Sequence, residues 1–538
     1  MTPRMSRRRA SAFAAIPALS IALAACSGTG TTAAEGEAQT GGELNVGLNS
    51  SIACLDPHQN ATNVTIFVAR NITDSLIDQD PETGDFSPWL ASAWTINDDA
   101  TAFTFDLKPD ITFSDGTPLT PEVVKANFDS IVADGPAISP LANNYLAGYA
   151  GSTVVDEDTV EVTFSAPNIQ FLQGASTVTL GILSPATLEV APGDRCQGNL
   201  AGLGPFDISS FNAQQEVVLS KRSGYNWGSD LREHTGEAHL DTINFRVVPE
   251  ASVRSGQLRS GELDIDTIPL TENVPTFEDN GFYVVGRPYP GLGVTLIPNL
   301  QRPLMQDINV RKAVLQGIDR EEIVSGVMTE YDKVPEGLIT SVTPLFEPVD
   351  GVAYDPEGTK SILEQSGWSL GADGIRVKDG QRLTIVAPFQ LASRQSAPAM
   401  ELVQSQLAEI GIDLQIRPLD AGELTATQTT GDYDLWYTPF HRSEPDAMRS
   451  ILGQSAQNVG RAPEPRPVDA LLNAQFGDPN QDSRKQTVTE ADQELIDQAY
   501  GIPLFELAGV MTLSDRVGGF AFEASSRLNL YDTWVASS

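Results

Sequence analysis

The stretch that decides the fold reads Asp85-Phe86-Ser87-Pro88-Trp89-Leu90-Ala91, then Trp94, then Phe103-Thr104-Phe105-Asp106-Leu107-Lys108. It closes with Ile111-Thr112-Phe113-Ser114-Asp115-Gly116-Thr117-Pro118-Leu119-Thr120. In Phe103 to Leu107 apolar and polar residues alternate, the period of a strand with one buried face. Ser114-Asp115-Gly116, followed by Thr117-Pro118, is turn chemistry, and Asp80-Pro81-Glu82-Thr83-Gly84-Asp85 upstream is a second turn. Downstream, Thr120-Pro121 is a helix-start signal that opens helical periodicity over residues 122–132. Strands, turns and a helix therefore follow one another within fifty-odd residues.

The same mixture runs along the chain. Alternation recurs over residues 43–48, 160–164 and 217–219, and helical spacing over 310–317, 320–328, 359–366 and 400–410. Asp319 and Asp355-Pro356-Glu357 stand where helix caps belong. This interleaving predicts a mixed α/β protein with more than one sheet. A length of 538 residues predicts two to four domains, and 41% hydrophobic content is that of a soluble globular chain. With 34 basic against 71 acidic residues, the net charge of −37 argues against a nucleic-acid partner and against anionic membrane surfaces.

Residues 1–26 have a different character. Arg4, Arg7, Arg8 and Arg9 precede an uncharged apolar run, residues 10–25, too short for an anchor helix and suited to an export signal. The Arg7-Arg8-Arg9 run leaves general and twin-arginine export both open, although the residues after it fit the latter poorly. Leu23-Ala24-Ala25-Cys26 resembles the lipobox of bacterial lipoproteins, which implies cleavage after residue 25 and lipidation of Cys26. An ordinary signal peptide with a chance cysteine is the alternative. Residues 26–42, rich in Gly, Ser, Thr and Ala, form a flexible tether. Their Gly28-Thr29-Gly30-Thr31-Thr32-Ala33 fits a dinucleotide fingerprint in letters only, with no strand before it or helix after it. Removing residues 1–25 takes away four arginines and no acid, leaving 30 bases against 71 acids, net −41. Cys54 and Cys196 are then the remaining thiols, and both a disulfide between them and two separate buried thiols stand as readings.

There is no H-E-x-x-H, C-x-x-C or Walker loop, and nothing calls for a cofactor or a metal. His234 and His239 sit five apart in a polar stretch and read as loop histidines before they read as ligands.

The stretch from Asp85 to Thr120 resembles the signature region of the family-5 solute-binding proteins, the oligopeptide, dipeptide and nickel group of ABC importers. Further matches follow in the family's order: Gly204-Pro205-Phe206, Tyr225-Asn226-Trp227, Ser260-Gly261-Glu262-Leu263-Asp264, Asp307-Ile308-Asn309-Val310-Arg311-Lys312-Ala313, Tyr354-Asp355-Pro356-Glu357 and Gly411-Ile412-Asp413-Leu414. The resemblance implies a type II periplasmic-binding-protein-like α/β fold, with two lobes about a hinge and an extra small domain. Lobe I is expected over residues 43–75, 200–298 and 504–538, the extra domain II over 76–199, and lobe III over 299–503. It implies a binding protein rather than an enzyme, lipid-anchored outside the cytoplasmic membrane and monomeric. Such a protein hands a peptide or similar small solute to permease subunits. A surface adhesion or signalling receptor on the same fold and a lipid-anchored hydrolase are the alternatives.

In peptide-binding members an Asp shortly before an acidic-Pro pair takes the ligand's ammonium. Here Glu444-Pro445 matches, but no Asp stands between Thr438 and Ser443. Phe440, His441, Arg442 and Ser443 occupy that place. Arg442 could grip an oxyanion through its planar fork or pair with Glu444 or Asp446 at the surface. Asn60, Thr62 and Asn63 are further candidates, with helix capping as the other reading. So are Trp436 and Tyr437, with core packing as theirs, and Tyr289, beside the expected crossover.

Overall fold

The computed structural model describes residues 37–390, 396–454 and 458–536. The leader over 1–25, the Cys26 lipidation site and the tether as far as residue 36 lie outside the described residues. No helix among the described residues is long and apolar enough to cross a membrane.

The stretch quoted first builds a sheet. Phe86–Pro88 pairs with Ile77–Gln79 across the Asp80 turn, whose carboxylate accepts from the Glu82 and Thr83 N–H groups at 2.7 and 3.0 Å. Ala91–Ile96, Ala102–Leu107, Thr159–Phe164 and Tyr149–Val154 then form a four-stranded antiparallel sheet in that spatial order. Phe103, Phe105 and Leu107 are buried and the residues between them are not. Phe103, Phe128 and Phe164 surround Phe171 with ring centroids 5.0–5.7 Å away, a cluster that stabilises beyond its buried area. In the Ser114 turn the Thr117 N–H donates to Asp115 Oδ1 (2.9 Å), and Gly116 takes φ +86°, open to glycine at no steric cost. The helix Pro121–Asp134 follows, burying Val123, Val124, Phe128 and Ile131.

A seven-stranded sheet lies beside it. Its spatial order is Tyr283–Pro288, Ala508–Leu513, Ile265–Asp266, Glu43–Leu48, Thr242–Val247, Glu216–Lys221 and Phe206–Asn212. Glu43–Leu48 is parallel to both its neighbours and the remaining pairs are antiparallel. Both sheets feed one contiguous apolar core, in which Leu44, Val46 and Phe245 join Phe103, Phe105 and Phe171. The second core gathers Leu292, Val294, Val310, Leu407, Leu435 and Ile502 around the sheet Leu435–His441, Gly291–Pro298, Ile502–Phe505 and the parallel pair Thr384–Gln390 with Asp413–Leu419. Its helices carry the expected caps: Asp319 accepts from the Glu322 N–H (3.0 Å) and Asp355 from the Gly358 N–H (2.8 Å).

The chain passes from the first core to the second at 289–290 and returns at 506–507. The crossings run side by side, with the Tyr289 N–H donating to Leu507 O at 2.8 Å. The crossings therefore fall away from the boundaries expected at residues 298 and 504: Gly291–Pro298 pairs with Leu435–His441 and with Ile502–Phe505, and all three strands pack in the second core. The strands on both sides of the break are apolar, and Tyr289-Pro290-Gly291 alone marks it. Gly291 takes φ +109°, and a Cβ there would press on Phe440 O and come within 2.6 Å of the Arg442 nitrogen.

Candidate functional site

A cleft of about 100 Å³ opens where the two cores meet. One wall is the first turns of the helix Asn63–Ile72, which is buried from Val64 to Ile72 and so is wedged into the protein. The strand Ile77–Gln79 and the segment around Gln173 to Thr179 add to that side. Opposite lie His441, Arg442 and Ser443, at the end of a strand of the second core, and the C-terminal turn at 523–527 closes the rim.

The charges of the cleft fall into two classes. Two acids are already matched. Arg70, stacked 5.1 Å over the Trp89 ring, donates to Glu523 at 2.9 Å, and Arg232 donates to Asp78 at 2.8 Å. Two cations are not: among the described residues Arg442 and Arg527 have no carboxylate partner. Arg442 is only 4% exposed and donates to the neutral oxygens Gln170 Oε1 (2.9 Å) and Asn144 Oδ1 (3.1 Å). Its guanidinium stands 5.0 Å over the Tyr145 ring and 5.1 Å over that of Phe440. Arg527 donates through Nε to Asn63 Oδ1 at 2.9 Å. His441 stacks on Tyr289 at 4.5 Å; burial, and then the Arg527 charge, pull its pKa down to about 3, so the ring is neutral.

The surface-pair alternative for Arg442 does not hold. Glu444 is taken by Arg484, and Asp446 by Arg449 at 2.6 and 2.9 Å. His441, Arg442 and Ser443 line the cleft itself. Phe440 lies against the Arg442 fork, and Tyr289 lies against His441 at the crossing. Asn63 reaches the cleft through Arg527, whereas Asn60 accepts from the Thr62 N–H (2.9 Å) and Thr62 occupies the N-cap position, both local roles. Trp436 and Tyr437 are 5% and 7% exposed, pack in the second core and line a separate hollow with Gln390, Leu424 and Gln428. The Tyr437 hydroxyl accepts from Ser396 Oγ at 2.8 Å.

Several cleft residues had no signal in the sequence. Arg70 looks like any cation on an amphipathic helix, and Glu523 and Arg527 come from a turn more than 450 residues along the chain from the groups they touch. Behind the cleft Cys54 and Cys196 are joined by a disulfide. Beside it Arg195 donates to Asp56 (2.7 Å) and Asp134 (2.5 Å). His234 stacks on His239 and Tyr531 and contacts Asp532 at 2.7 Å, so it is not a free loop residue. Among the described residues no group of three or more His, Cys, Asp or Glu is placed to hold a metal.

Residues 85–459 match the model of the bacterial extracellular solute-binding proteins, family 5. The glutathione-binding protein GsiB of Escherichia coli O1:K1 is 25% identical over 390 residues, 71% of either chain. A probable D,D-dipeptide-binding periplasmic protein, DdpA of Escherichia coli K12, is 25% identical over 89% of this chain and 91% of its own. In three dimensions NikA from Brucella suis, solved in complex with Fe(III)-EDTA, superposes with a TM-score of 0.80. That match has 22% identity and covers 92% of this chain and all of that one.

Proposed function

The chain belongs to the bacterial extracellular solute-binding proteins of family 5, and we propose that it is the lipid-anchored binding subunit of an ABC importer. In this reading it captures a peptide or similar small hydrophilic solute between its two lobes and delivers it to permease subunits in the membrane. It works as a monomer and performs no chemistry on the solute. Residues 1–25 would direct export, lipidated Cys26 would hold the protein at the outer face of the cytoplasmic membrane, and residues 26–42 would let it turn toward the permease.

The observation that carries this reading is the cleft at the paired crossings, walled by both cores and furnished with buried polar groups from distant parts of the chain. Two adjacent extended segments are what a hinge needs, and a solute touching both walls favours the closed arrangement. The relatives named for glutathione and D,D-dipeptide binding support a small, polar, peptide-like solute.

A solute at 100-fold its dissociation constant adds about 2.7 kcal/mol of stability. Thermal melting and small-angle scattering across a panel of peptides, sugars and chelates should find compounds that both raise the melting point and compact the protein. A panel in which nothing does either would overturn the receptor reading.

A further inference from the structure

We infer that the solute is held by a carboxylate received jointly by Arg442 and Arg527, and that the cleft rejects solutes whose only charge is a free ammonium. This deepens the receptor reading above and rests on it.

The inference follows from which charges are satisfied. Both acids in the cleft are committed: Asp78 accepts from Arg232 and from the Gln79 N–H, Glu523 from Arg70 and from Ser525 Oγ. An incoming ammonium would have to break one of these pairs to find a counter-charge. Arg442 is in the opposite position. The two acids nearest it in sequence are held by Arg484 and Arg449, and Gln475 donates to Asp446 as well at 2.9 Å. What remains around its guanidinium is two amide oxygens, the Ser450 hydroxyl at 3.5 Å and two ring faces, none of them charged. Those groups orient the fork and soften the cost of burial, but they do not neutralise it. A carboxylate does, through charge-assisted hydrogen bonds whose geometry the planar fork matches.

The two cations stand on different bodies. Arg442 follows a strand of the second core, while Arg527 comes after the chain has returned to the first and is pinned to Asn63 at the head of the wedged helix. A carboxylate touching both spans the junction, so its affinity is greater for the arrangement that brings them together. Neutral His441 stacks on Tyr289, whose ring the Arg527 guanidinium also faces at 5.9 Å, and adds no charge of its own. The chain's net −37 does not contradict an anionic ligand, because exposed charges beyond about 8–10 Å are screened at ordinary ionic strength. It does disfavour a polyanion.

The test is equilibrium dialysis of the full chain against one equimolar mixture, with retained compounds read by mass spectrometry. The mixture holds N-acetylated peptides, their C-terminal amides, small dicarboxylic acids, glutathione, sugars, phosphate esters and polyamines. Retention of carboxylate-bearing compounds, with their amides passed over, supports the inference. It is supported further if Arg442→Gln and Arg527→Gln each weaken the retained compound by about tenfold or more, while Arg442→Lys weakens it less. Arg527 is half-buried and its variant keeps the proposal testable if Arg442→Gln fails to fold. Retention of amides, polyamines or phosphate esters in preference to carboxylates overturns the inference and leaves the receptor reading standing. Retention of nothing overturns both.

Discussion

Replacing Cys54 and Cys196 together by serine isolates one structural contribution. The disulfide ties residues 142 apart in sequence. In the chain-entropy account the stabilisation grows as 1.5R ln n, giving about 5 kcal/mol for a loop of this length, against about 2–5 kcal/mol for native disulfides removed elsewhere. The native surroundings of the bond do not depend on it. Asp56 keeps Arg195, Arg195 keeps Asp134, and His58 Nε2 remains 2.7 Å from Gly181 O. The loss is therefore exerted mainly on the unfolded chain rather than through local disorder. Its reach should also be confined, because the strand Glu43–Leu48 just before Cys54 and the strand Phe206–Asn212 just after Cys196 both belong to the sheet that feeds the first core. Urea unfolding followed by tryptophan fluorescence can separate the bodies, since Trp227 reports on the first core and Trp368 and Trp436 on the second. The variant should lose about 2–5 kcal/mol in the transition of the first core, with that of the second unmoved. Equal midpoints for variant and parent, or a shift confined to the second core, would show that the disulfide does not restrain the first core's unfolded chain.

Four other substitutions have outcomes set by their surroundings. Glu444→Gln removes the counter-charge of buried Arg484 and should cost about 3–5 kcal/mol in denaturant unfolding; a loss below 1 kcal/mol would mean the pair is not buried as described. Burial raises the Asp492 carboxyl to about 7 and Asp74 to about 8, so between pH 4 and those values each is protonated in the fold and ionised in the unfolded chain. The unfolded state then binds fewer protons and stability falls as pH rises, by up to about 1.4 kcal/mol per unit for each group. Asp492→Asn should match the parent near pH 4 and exceed it at pH 8; an identical decline in both would contradict the assignment. Gly291→Ala, which forces a Cβ against the backbone of Phe440 and Arg442, should lower the melting point. Gly256→Ala, in open space on the helix Ala251–Ser260, should raise stability by about 0.5–1 kcal/mol.

Legibility in the sequence followed the range of the forces involved. Phe103 to Leu107, the Ser114 turn and the capping Asp319 and Asp355 were readable because alternation, turn chemistry and capping are local. The crossing at Tyr289-Pro290-Gly291 was not, because it separates two apolar strands that pack in different cores. Trp436 and Tyr437 resemble cleft aromatics in one dimension, but the first half of their strand, Leu435 to Tyr437, is buried on both faces, so they serve the core. Arg442 was identifiable as the departure from the amine-binding pattern. Its lack of a carboxylate partner was not, since it depends on Glu444 finding Arg484 forty residues on. The partnering of Arg70 and Arg527 needed the fold to bring the C-terminal turn against the first helix.

The most direct measurement of the central claim is native mass spectrometry of the protein isolated from the organism that encodes it, compared with Arg442→Gln isolated the same way. The parent chain should carry one small solute that is released on denaturation and contains a carboxylate, and the variant should have lost that solute or be strongly depleted of it. A bare parent chain, or the same solute at equal occupancy in both, would contradict that claim.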